Sequence, residues 1–206
     1  MSEENLSRGE RKRLEILQAA YDLFIEQGYH GTSMRQIAQR AHLALGGLYN
    51  HFASKEELFR AVFLEYHPYR EFFPALMAAR GDTVEGFLKN AVERMAAAVA
   101  GRPGFLNLMF IEVVEFKNVH TRDLFVQLFP LGLQIVASLK QRGMEQLRPM
   151  PEPMIVRTFL GLFFGYFLTE IVFASVAPAE FSENAMDHFI DIYLHGLLAA
   201  PLTAAG

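Results

Sequence analysis

The sequence contains no cysteine among its 206 residues. Disulfide bonds and thiolate chemistry are therefore excluded, and a zinc site would have to rely on histidine and carboxylate ligands. Sustained β-type alternation is almost absent, whereas apolar residues recur at helical spacing along most of the chain. Hydrophobic residues make up 51% of the chain and charged residues 20%, as in a folded globular protein. Together these features predict an all-α globular protein.

The sequence also lacks a hydrophobic leader and an uninterrupted apolar run of membrane-spanning length. Its first thirteen residues are polar and charged, unlike the apolar core of a signal peptide. In the most membrane-like stretch, Ile155–Val176, Arg157 and Glu170 leave only twelve uncharged residues between them. Because a span needs about 20 apolar residues, we interpret this stretch as a helix buried among other helices. We expect a cytoplasmic protein without a membrane partner.

The net charge of −4 argues mildly against nucleic-acid binding, but the charge is unevenly distributed. Residues Met1–Lys55 carry seven basic and six acidic residues, whereas residues Glu56–Gly206 carry twelve basic and seventeen acidic residues. The N-terminal quarter is therefore the part of the chain better suited to a polyanion.

Capping boxes indicate where helices begin in this N-terminal quarter. A capping box pairs a serine with a glutamate or glutamine three residues later, and both side chains satisfy free backbone N–H groups. Three such boxes predict helix starts at Ser7-Arg8-Gly9-Glu10, Ser33-Met34-Arg35-Gln36 and Ser54-Lys55-Glu56-Glu57.

The spacing of these starts predicts a helix-turn-helix. Gly28 ends the first helix, and a short second helix runs through Ala41. A three-residue turn, His42–Ala44, leads into another short helix over Leu45–Phe52. Two short helices joined by a tight turn are typical of a motif whose second helix enters the major groove of DNA, although an ordinary helical bundle has similar spacing.

Longer helical patterns follow, separated by glycine and proline, and bring the total to about nine helices. Pro130 falls inside one of them and should kink or split it. The predicted helices are Tyr69–Ala79, Thr83–Ala100, Phe105–Phe116, Thr121–Leu147, Pro153–Ser175 and Ser182–Ala199.

The run Gly28–Leu58 resembles the DNA-binding head of the tetracycline-repressor (TetR) family, and the resemblance covers roughly residues 10 to 60. It implies a helix-turn-helix domain at residues 1–54 and a ligand-binding and dimerisation domain at residues 55–206. Two positions depart from the family pattern: His42 replaces a glycine and requires a left-handed backbone, and Ala44 replaces a serine that would cap the next helix. The matching positions are Ala19-Ala20, Leu23-Phe24, Gly28-Tyr29, Thr32, Ile37-Ala38, Gly46, Leu48-Tyr49, His51-Phe52 and Ser54-Lys55-Glu56.

The resemblance and the predicted helix starts together indicate the residues that contact double-stranded DNA. Hydroxyls and N–H groups at helix starts favour phosphate, lysine can pair with phosphate, and arginine can bind guanine in a bidentate manner. Glycines at the start of the reading helix let its backbone approach the base edges. The predicted DNA-binding residues are Thr32, Ser33, Arg35, Leu45, Gly46, Gly47, Tyr49, Asn50, His51 and Lys55.

The last two helices carry the predicted homodimer interface. The helix Pro153–Ser175 is apolar nearly all round, so it requires cover on more than one side. Gly161 and Gly165 would permit close approach of a second helix, and a two-fold dimer requires a near-palindromic operator. The predicted interface residues are Phe159, Gly161, Gly165, Leu168, Phe189, Ile192, Tyr193 and Leu197.

The resemblance further implies a cavity for a small apolar or aromatic effector, whose binding would shift the helix Lys55–Tyr66 and release DNA. Two acidic residues, Glu112 and Glu170, either meet a cationic ligand or face solvent, and Glu115 is expected to face solvent. Repression is the usual mode implied by the resemblance, and no cofactor is expected. The predicted pocket residues are Phe105, Met109, Phe110, Glu112, Val113, Phe163 and Phe167.

Two other functions are weighed against this prediction. An enzyme is not expected, because no nucleophile elbow, phosphate loop or zinc-protease motif is present. His188, Asp191 and His195 have metal-like spacing on one helix, but an exposed charged face explains them better. The remaining alternative is a helical adaptor, or a regulator without a small-molecule ligand, whose head binds protein or binds DNA constitutively.

Overall fold

The computed structural model describes residues 7–100, 104–141, 149–173 and 176–197. Ten α-helices and one short 3-10 helix, Ala179–Phe181, lie in these ranges, which contain no β-strand. The predicted all-α fold is confirmed. In chain order the α-helices are α1 (Arg8–Gly31), α2 (Met34–Arg40), α3 (Leu45–Tyr49), α4 (Lys55–Tyr66), α5 (Tyr69–Met77), α6 (Val84–Ala100), α7 (Phe105–Glu115), α8 (Val119–Gln141), α9 (Glu152–Phe173) and α10 (Ala185–Leu197).

The described residues form two compact units. The head unit comprises residues 7–68 and 104–124, and the body unit comprises residues 69–100 and 125–197 within the described ranges. The head unit therefore contains α1–α4 and α7, while α5, α6, α9, α10 and most of α8 belong to the body unit. This is a division by packing, and the functional boundary after residue 54 stays a prediction.

The core of the head unit is built on α1, which packs against α2, α4 and α7. The apolar residues of α1 recur three and four positions apart, so they lie on one face of the helix. The packing of α1 against α4 removes three aromatic side chains, Phe24, Phe59 and Phe63, from water. The buried residues are Ile16, Leu17, Ala20, Leu23 and Phe24 of α1, Ile37 of α2, Leu48 of α3, Leu58, Phe59, Val62 and Phe63 of α4, and Leu106 and Leu108 of α7.

Local signals set the ends of the first two helices as predicted. The Ser7 hydroxyl accepts from the Glu10 N–H, and the Ser7 N–H donates to the Glu10 carboxylate at 2.8 Å. Ser33 and Gln36 form the same reciprocal pair at the start of α2. Gly28 has φ of 74°, which interrupts the helical backbone inside α1. Glycine suits this position because an L side chain rarely adopts a positive φ.

The third capping box differs by one residue from the prediction. The Ser54 hydroxyl accepts from the Glu57 N–H, as expected, but the Glu57 carboxylate accepts from the N–H of Ala53 rather than that of Ser54. Both interactions still satisfy donors at the start of α4.

The turn between α2 and α3 shows both expected departures. His42 adopts a left-handed backbone with φ of 53°. Ala44 stands at the N-cap of α3 and provides no side-chain hydrogen bond. The helix itself is shorter than predicted, because it ends at Tyr49 and the chain then turns at Asn50 and His51 before reaching Phe52.

The body unit has its own core, in which α6 packs against α5 and α10, and α10 packs against α9. Pro130 lies inside α8 and does not divide it into two helices. The predicted ends of α8 and α9 fall partly on residues 142–147 and 174–175, outside the described part of the chain. The buried core residues of this unit include Phe87, Leu88, Ala91, Val92, Val136, Ile155, Ile190 and Leu194.

No helix within the described ranges is both long enough and apolar enough to cross a bilayer.

Candidate nucleic-acid interface

The outward face of α3 is exposed and carries several of the predicted contact residues. Leu45 is 40% exposed and Tyr49 is 49% exposed, and Gly46 and Asn50 are also exposed. At 100° per residue these four positions occupy one side of the helix. Leu48, on the opposite side, is completely buried and anchors α3 to the head core. The inner face of α3 therefore anchors the helix, and its outer face is left exposed to solvent.

The two glycines of α3 are not required by packing. A Cβ atom added to Gly46 would meet no atom within 4 Å, and one added to Gly47 would make an ordinary contact of 3.7 Å with Leu43. Neither glycine has a positive φ. A glycine inside a helix costs about 1 kcal/mol of stability relative to alanine. Gly46 and Gly47 therefore destabilise α3, and the packing of the head unit does not require either of them.

Thr32 does not lie where the sequence predicts a phosphate contact. It is 1% exposed, and its hydroxyl donates to the carbonyl oxygens of Leu23 at 3.1 Å and Gly28 at 2.8 Å. Its N–H donates to the carbonyl of Tyr29. The polar groups of Thr32 thus hold the link between α1 and α2, and its hydroxyl is not available to DNA.

Lys55 is half-buried and also bonds within the protein. Its ammonium group donates to the carbonyl oxygens of Tyr29 and Thr32, both at 2.8 Å, and lies over the Tyr29 ring. Burial lowers the pKa of Lys55 from its ordinary value, while the nearby Glu115 carboxylate acts in the opposite direction. Only one of the three donors of an ammonium group remains for a phosphate.

The remaining polar candidates differ in how far they are engaged. Ser33 is exposed, but its hydroxyl already bonds the side chain and the N–H of Gln36. His51 is half-buried, whereas Arg35 is exposed at the start of α2. The other arginine of α2, Arg40, is held by two hydrogen bonds of 3.0 and 2.8 Å to Glu26 of α1. Arg35 is therefore the α2 cation that is free to extend towards a ligand.

Comparison with known proteins agrees with this geometry. Residues 16–62 match the family described as "Bacterial regulatory proteins, tetR family". The chain therefore carries an N-terminal head of the TetR type. Its head is a DNA-binding helix-turn-helix, and the protein is a regulator of transcription rather than an enzyme.

Three relatives illustrate how the similarity is distributed. YvkB of Bacillus subtilis, an HTH-type transcriptional regulator, is 22% identical over 193 residues, which cover 89% of this chain and 96% of YvkB. UidR of Escherichia coli, another such regulator, is 43% identical over 53 residues, about a quarter of either chain (26% and 27%). NalD of Pseudomonas aeruginosa, the secondary repressor of the MexAB-OprM multidrug efflux pump, has a TM-score of 0.67 at 23% identity, over 92% of this chain and 98% of NalD. Sequence identity is therefore high only over a segment of about fifty residues, whereas over most of the chain the similarity is mainly one of fold.

The predicted interface residues of this chain differ in how far the body unit buries them. Phe159, Phe189 and Tyr193 pack within the body unit, where the Tyr193 hydroxyl donates to the carbonyl of Ile155 at 3.2 Å. Gly161 and Ile192 are exposed and available to a partner. Gly165 and Leu168 are half-buried, and the side chain of Leu197 lies outside the described part of the chain.

Two exposed residues of α9 were not among the predicted interface positions. Leu160 and Phe164 lie on the same exposed side as Gly161. The sequence does not distinguish this side because α9 is apolar around most of its circumference, so spacing alone favours no face.

The predicted pocket residues do not fall in one unit. Phe105, Met109, Phe110, Glu112 and Val113 belong to the head unit, while Phe163 and Phe167 pack in an aromatic cluster of the body unit with Phe72, Met95 and Val99. Phe110 and Val113 are exposed on α7.

Glu112 is fully buried and serves neither of the two roles left open for it. Its carboxylate accepts from the N–H groups of His120 and Thr121, at 2.7 and 3.0 Å, and contacts Nδ1 of His120 at 2.8 Å. These N–H groups belong to the first turn of α8, so Glu112 caps that helix from α7. His120 was missed, because nothing in its sequence neighbourhood indicates a buried partner eight residues earlier.

The expectation for Glu115 is wrong in part. Its carboxylate does not simply face solvent, because it lies 2.6 Å from Nε2 of the exposed His30. Glu170 is half-buried. Burial raises the pKa of the Tyr166 hydroxyl above its ordinary value, and the charge of Glu170 acts in the same direction.

The described residues contain no group of three or more histidine, aspartate or glutamate side chains able to hold a metal ion. His188 and Asp191 are exposed on α10, and Nδ1 of His195 bonds the carbonyl oxygen of Asp191 at 2.8 Å.

Proposed function

We propose that this protein is a homodimeric repressor that binds a near-palindromic operator and leaves it when a small apolar effector binds the body unit. The observation that carries the proposal is the exposed outer face of α3, which is fixed to the head core through the buried Leu48. A short exposed helix on a packed support has the geometry of a major-groove reader. We propose Ser33 and His51 as the phosphate contacts, and Lys55 as the residue that positions the start of α4.

A second copy of the chain is the proposed partner of α9. Leu160, Gly161 and Phe164 form an exposed apolar stripe on that helix, and Ile192 of α10 is also exposed. Covering these side chains in a symmetric contact would stabilise a dimer through the burial of apolar surface. Two heads related by a two-fold axis would then read half-sites about one helical turn apart, or a multiple of it.

Phe164→Glu tests this interface, because it places a charge in the middle of the stripe. We expect the variant to sediment as a monomer and to lose most of its operator affinity. Val119→Glu is the matched control, since it introduces the same charge at an exposed apolar residue of the head unit. A dimeric Phe164→Glu protein would contradict the assignment of α9 to the interface.

The effector is proposed to bind near the aromatic cluster of the body unit that contains Phe163 and Phe167. To release DNA it must bind the DNA-free conformation more tightly than the DNA-bound one. The name of NalD, a repressor of an efflux pump, supports repression as the mode of action. A panel of uncharged aromatic compounds should therefore include some that raise the melting temperature of the free protein and weaken its DNA binding. Phe167→Ala should reduce both effects.

Binding to DNA taken from beside its own gene is the decisive measurement. Fluorescence anisotropy with that duplex and with a scrambled duplex, at several salt concentrations, should give tighter binding to the first. The logarithm of the affinity should fall linearly with that of the salt concentration, by about 0.9 per phosphate neutralised. Equal binding to both duplexes, or affinity insensitive to salt, would favour a head that binds protein. The proposed location is the cytoplasm.

A further inference from the structure

Arg157 lies in the middle of the exposed side of α9. Met154, Leu160 and Phe164 are exposed apolar residues of that side, and Gly161 is exposed beside Leu160. At 100° per residue these five positions fall within an arc of about 120°, and Arg157 stands at its centre. The guanidinium therefore shares one face with the apolar stripe that we assign to the dimer.

No hydrogen bond or ion pair within the described residues engages the guanidinium of Arg157. Water solvates this group as long as the stripe is uncovered. A partner that covers the stripe removes that water, and a buried charge without a hydrogen-bonded counter-charge is strongly unfavourable. The partner that covers α9 must therefore bring a carboxylate to Arg157.

The helix α10, which packs against α9, carries the complementary charge on its outer side. Asp187 and Asp191 are both exposed there, and Asp191 directly precedes the exposed Ile192. The Asp191 carboxylate lies 3.4 Å from Nδ1 of His195, a separation too long for a good hydrogen bond. An acceptor for a guanidinium thus stands next to the apolar residue of α10 that we assign to the same interface.

Lys89 of α6 is near these aspartates but is bound elsewhere. Its ammonium lies 3.0 Å from the Glu85 carboxylate. Hydrogen bonding to Glu85 raises the pKa of Lys89, and the charges of Asp187 and Asp191 act to a smaller extent in the same direction. Within the described residues, no lysine or arginine forms an ion pair with Asp191, so its carboxylate can accept from a guanidinium.

We infer that Arg157 pairs with Asp191 of the partner subunit, and that this pair selects a second copy of the same chain as the partner of α9. The inference rests on the proposed homodimer. A two-fold axis makes the contact reciprocal, so each dimer contains the pair twice. A different protein that offered an apolar surface without a carboxylate would leave Arg157 buried and unpaired, which disfavours it as a partner. The apolar stripe thus stabilises the dimer, and the charge pair determines which chain can join it.

Charge reversal in the full-length protein tests the pairing. In a dimer of Arg157→Glu two carboxylates face each other at each contact, and in a dimer of Asp191→Arg two guanidinium groups do so. Each variant alone should raise the dissociation constant of the dimer at least about tenfold, because like charges meet at both contacts. Sedimentation equilibrium over a range of protein concentrations measures this constant.

Mixing the two variants should restore the dimer. A heterodimer of Arg157→Glu with Asp191→Arg has opposite charges at both contacts, whereas neither homodimer has. Native mass spectrometry of an equimolar mixture should therefore show mainly the heterodimer. The double variant Arg157→Glu/Asp191→Arg should form homodimers as tight as those of the wild type and should not mix with the wild type.

Two controls show whether the position of the reversed charge matters. Asp123→Arg reverses an exposed aspartate of the head unit and should leave the dissociation constant unchanged. Asp187→Arg reverses the acid one turn earlier on α10 and should have a smaller effect than Asp191→Arg. A larger effect of Asp187→Arg would show that the assignment to Asp191 is wrong.

The remaining outcomes separate this inference from the proposed function. A wild-type chain that stays monomeric would overturn both. A dimer that is insensitive to Arg157→Glu, or a mixture of the single variants without an excess of heterodimer, would overturn the charge pair and leave the dimer intact.

Discussion

The ammonium group of Lys55 lies 4.2 Å from the centre of the Tyr29 ring and also bonds the carbonyl oxygens of Tyr29 and Thr32. The first residue of α4 is thereby fastened to the segment that joins α1 to α2. Burial raises the pKa of the Tyr29 hydroxyl and lowers that of Lys55, so both polar groups are partly removed from water. Lys55 of α4 thus positions the segment that precedes α2, the first helix of the helix-turn-helix.

Replacement of Lys55 by methionine tests whether the residue positions the head or binds phosphate. We expect the free energy of unfolding to fall by about 1–2 kcal/mol, because two bonds to a charged donor are lost. Operator affinity should also fall, whereas the salt dependence of binding should keep its slope. A phosphate contact would instead reduce that slope by about one.

Lys12→Met is the matched control for Lys55→Met. The Lys12 ammonium pairs at the surface with Glu15 and otherwise makes one long contact, of 3.5 Å, with the carbonyl oxygen of Ala41. Its loss should therefore change urea stability little. A shallower salt slope in Lys55→Met than in Lys12→Met would contradict the positioning role.

The buried carboxylate of Glu112 should be sensitive to a change of a single atom. In Glu112→Gln one acceptor oxygen becomes an amide that donates, and it would face N–H groups or the ring nitrogen of His120. We expect the free energy of unfolding to decrease by about 1–3 kcal/mol, the cost of an unsatisfied buried donor. The same change at Glu115, on the same helix but paired with an exposed histidine, should have a much smaller effect. Equal urea midpoints for the two variants would be inconsistent with a buried cap.

The ion pair between Glu26 and Arg40 should make the free energy of unfolding depend on pH. Hydrogen bonding to Arg40 lowers the pKa of Glu26 below its ordinary value of 4.5. Because the folded pKa lies below the unfolded one, the pair stabilises the protein above pH 4.5, and this contribution is lost as pH falls through the folded pKa. Urea titrations of the wild type and Glu26→Gln should therefore differ at pH 7 and converge as the pH falls well below 4.5. A difference that stays constant with pH would exclude this origin.

The uncapped start of α3 predicts that a serine there would stabilise the head. Ala44 has the extended backbone of an N-cap, with φ of −65° and ψ of 147°, but no side-chain acceptor. Ala44→Ser should raise the free energy of unfolding by up to about 1 kcal/mol, and Ser33→Ala at the start of α2 should lower it by about the same amount. Thermal denaturation of both variants measures the two effects. Destabilisation by Ala44→Ser would show that the hydroxyl does not reach the first turn.

Features that depend on neighbours in sequence were predictable. The caps at Ser7 and Ser33, the break at Gly28 and the left-handed backbone at His42 follow from interactions that span at most three or four residues. These signals are sufficient to identify α1 and α2 and the turn before α3. The exposed residues of α3 follow from the same pattern, because Leu48 is the apolar position that completes the core.

Roles that depend on distant partners were not predictable. The sequence assigns Thr32 and Lys55 to phosphate, but Thr32 bonds Leu23, nine positions away, and Lys55 bonds Tyr29, twenty-six positions away. The partner of Glu112 is set by the return of the chain at the start of α8, and the exposed side of α9 cannot be read from an almost wholly apolar helix. Such roles emerge only when the packing of separate helices is known.

The position of Phe116 has a consequence for dissecting the protein. Its ring stacks on Phe59 at 4.5 Å and meets the edge of Tyr29 at 4.8 Å, so an aromatic side chain at the end of α7 covers both α4 and the end of α1. A fragment that stops at Pro68 would leave those rings in contact with water. The head therefore depends on α7 as well as on α1–α4, and a fragment that ends at Pro68 should be less stable than the full-length chain.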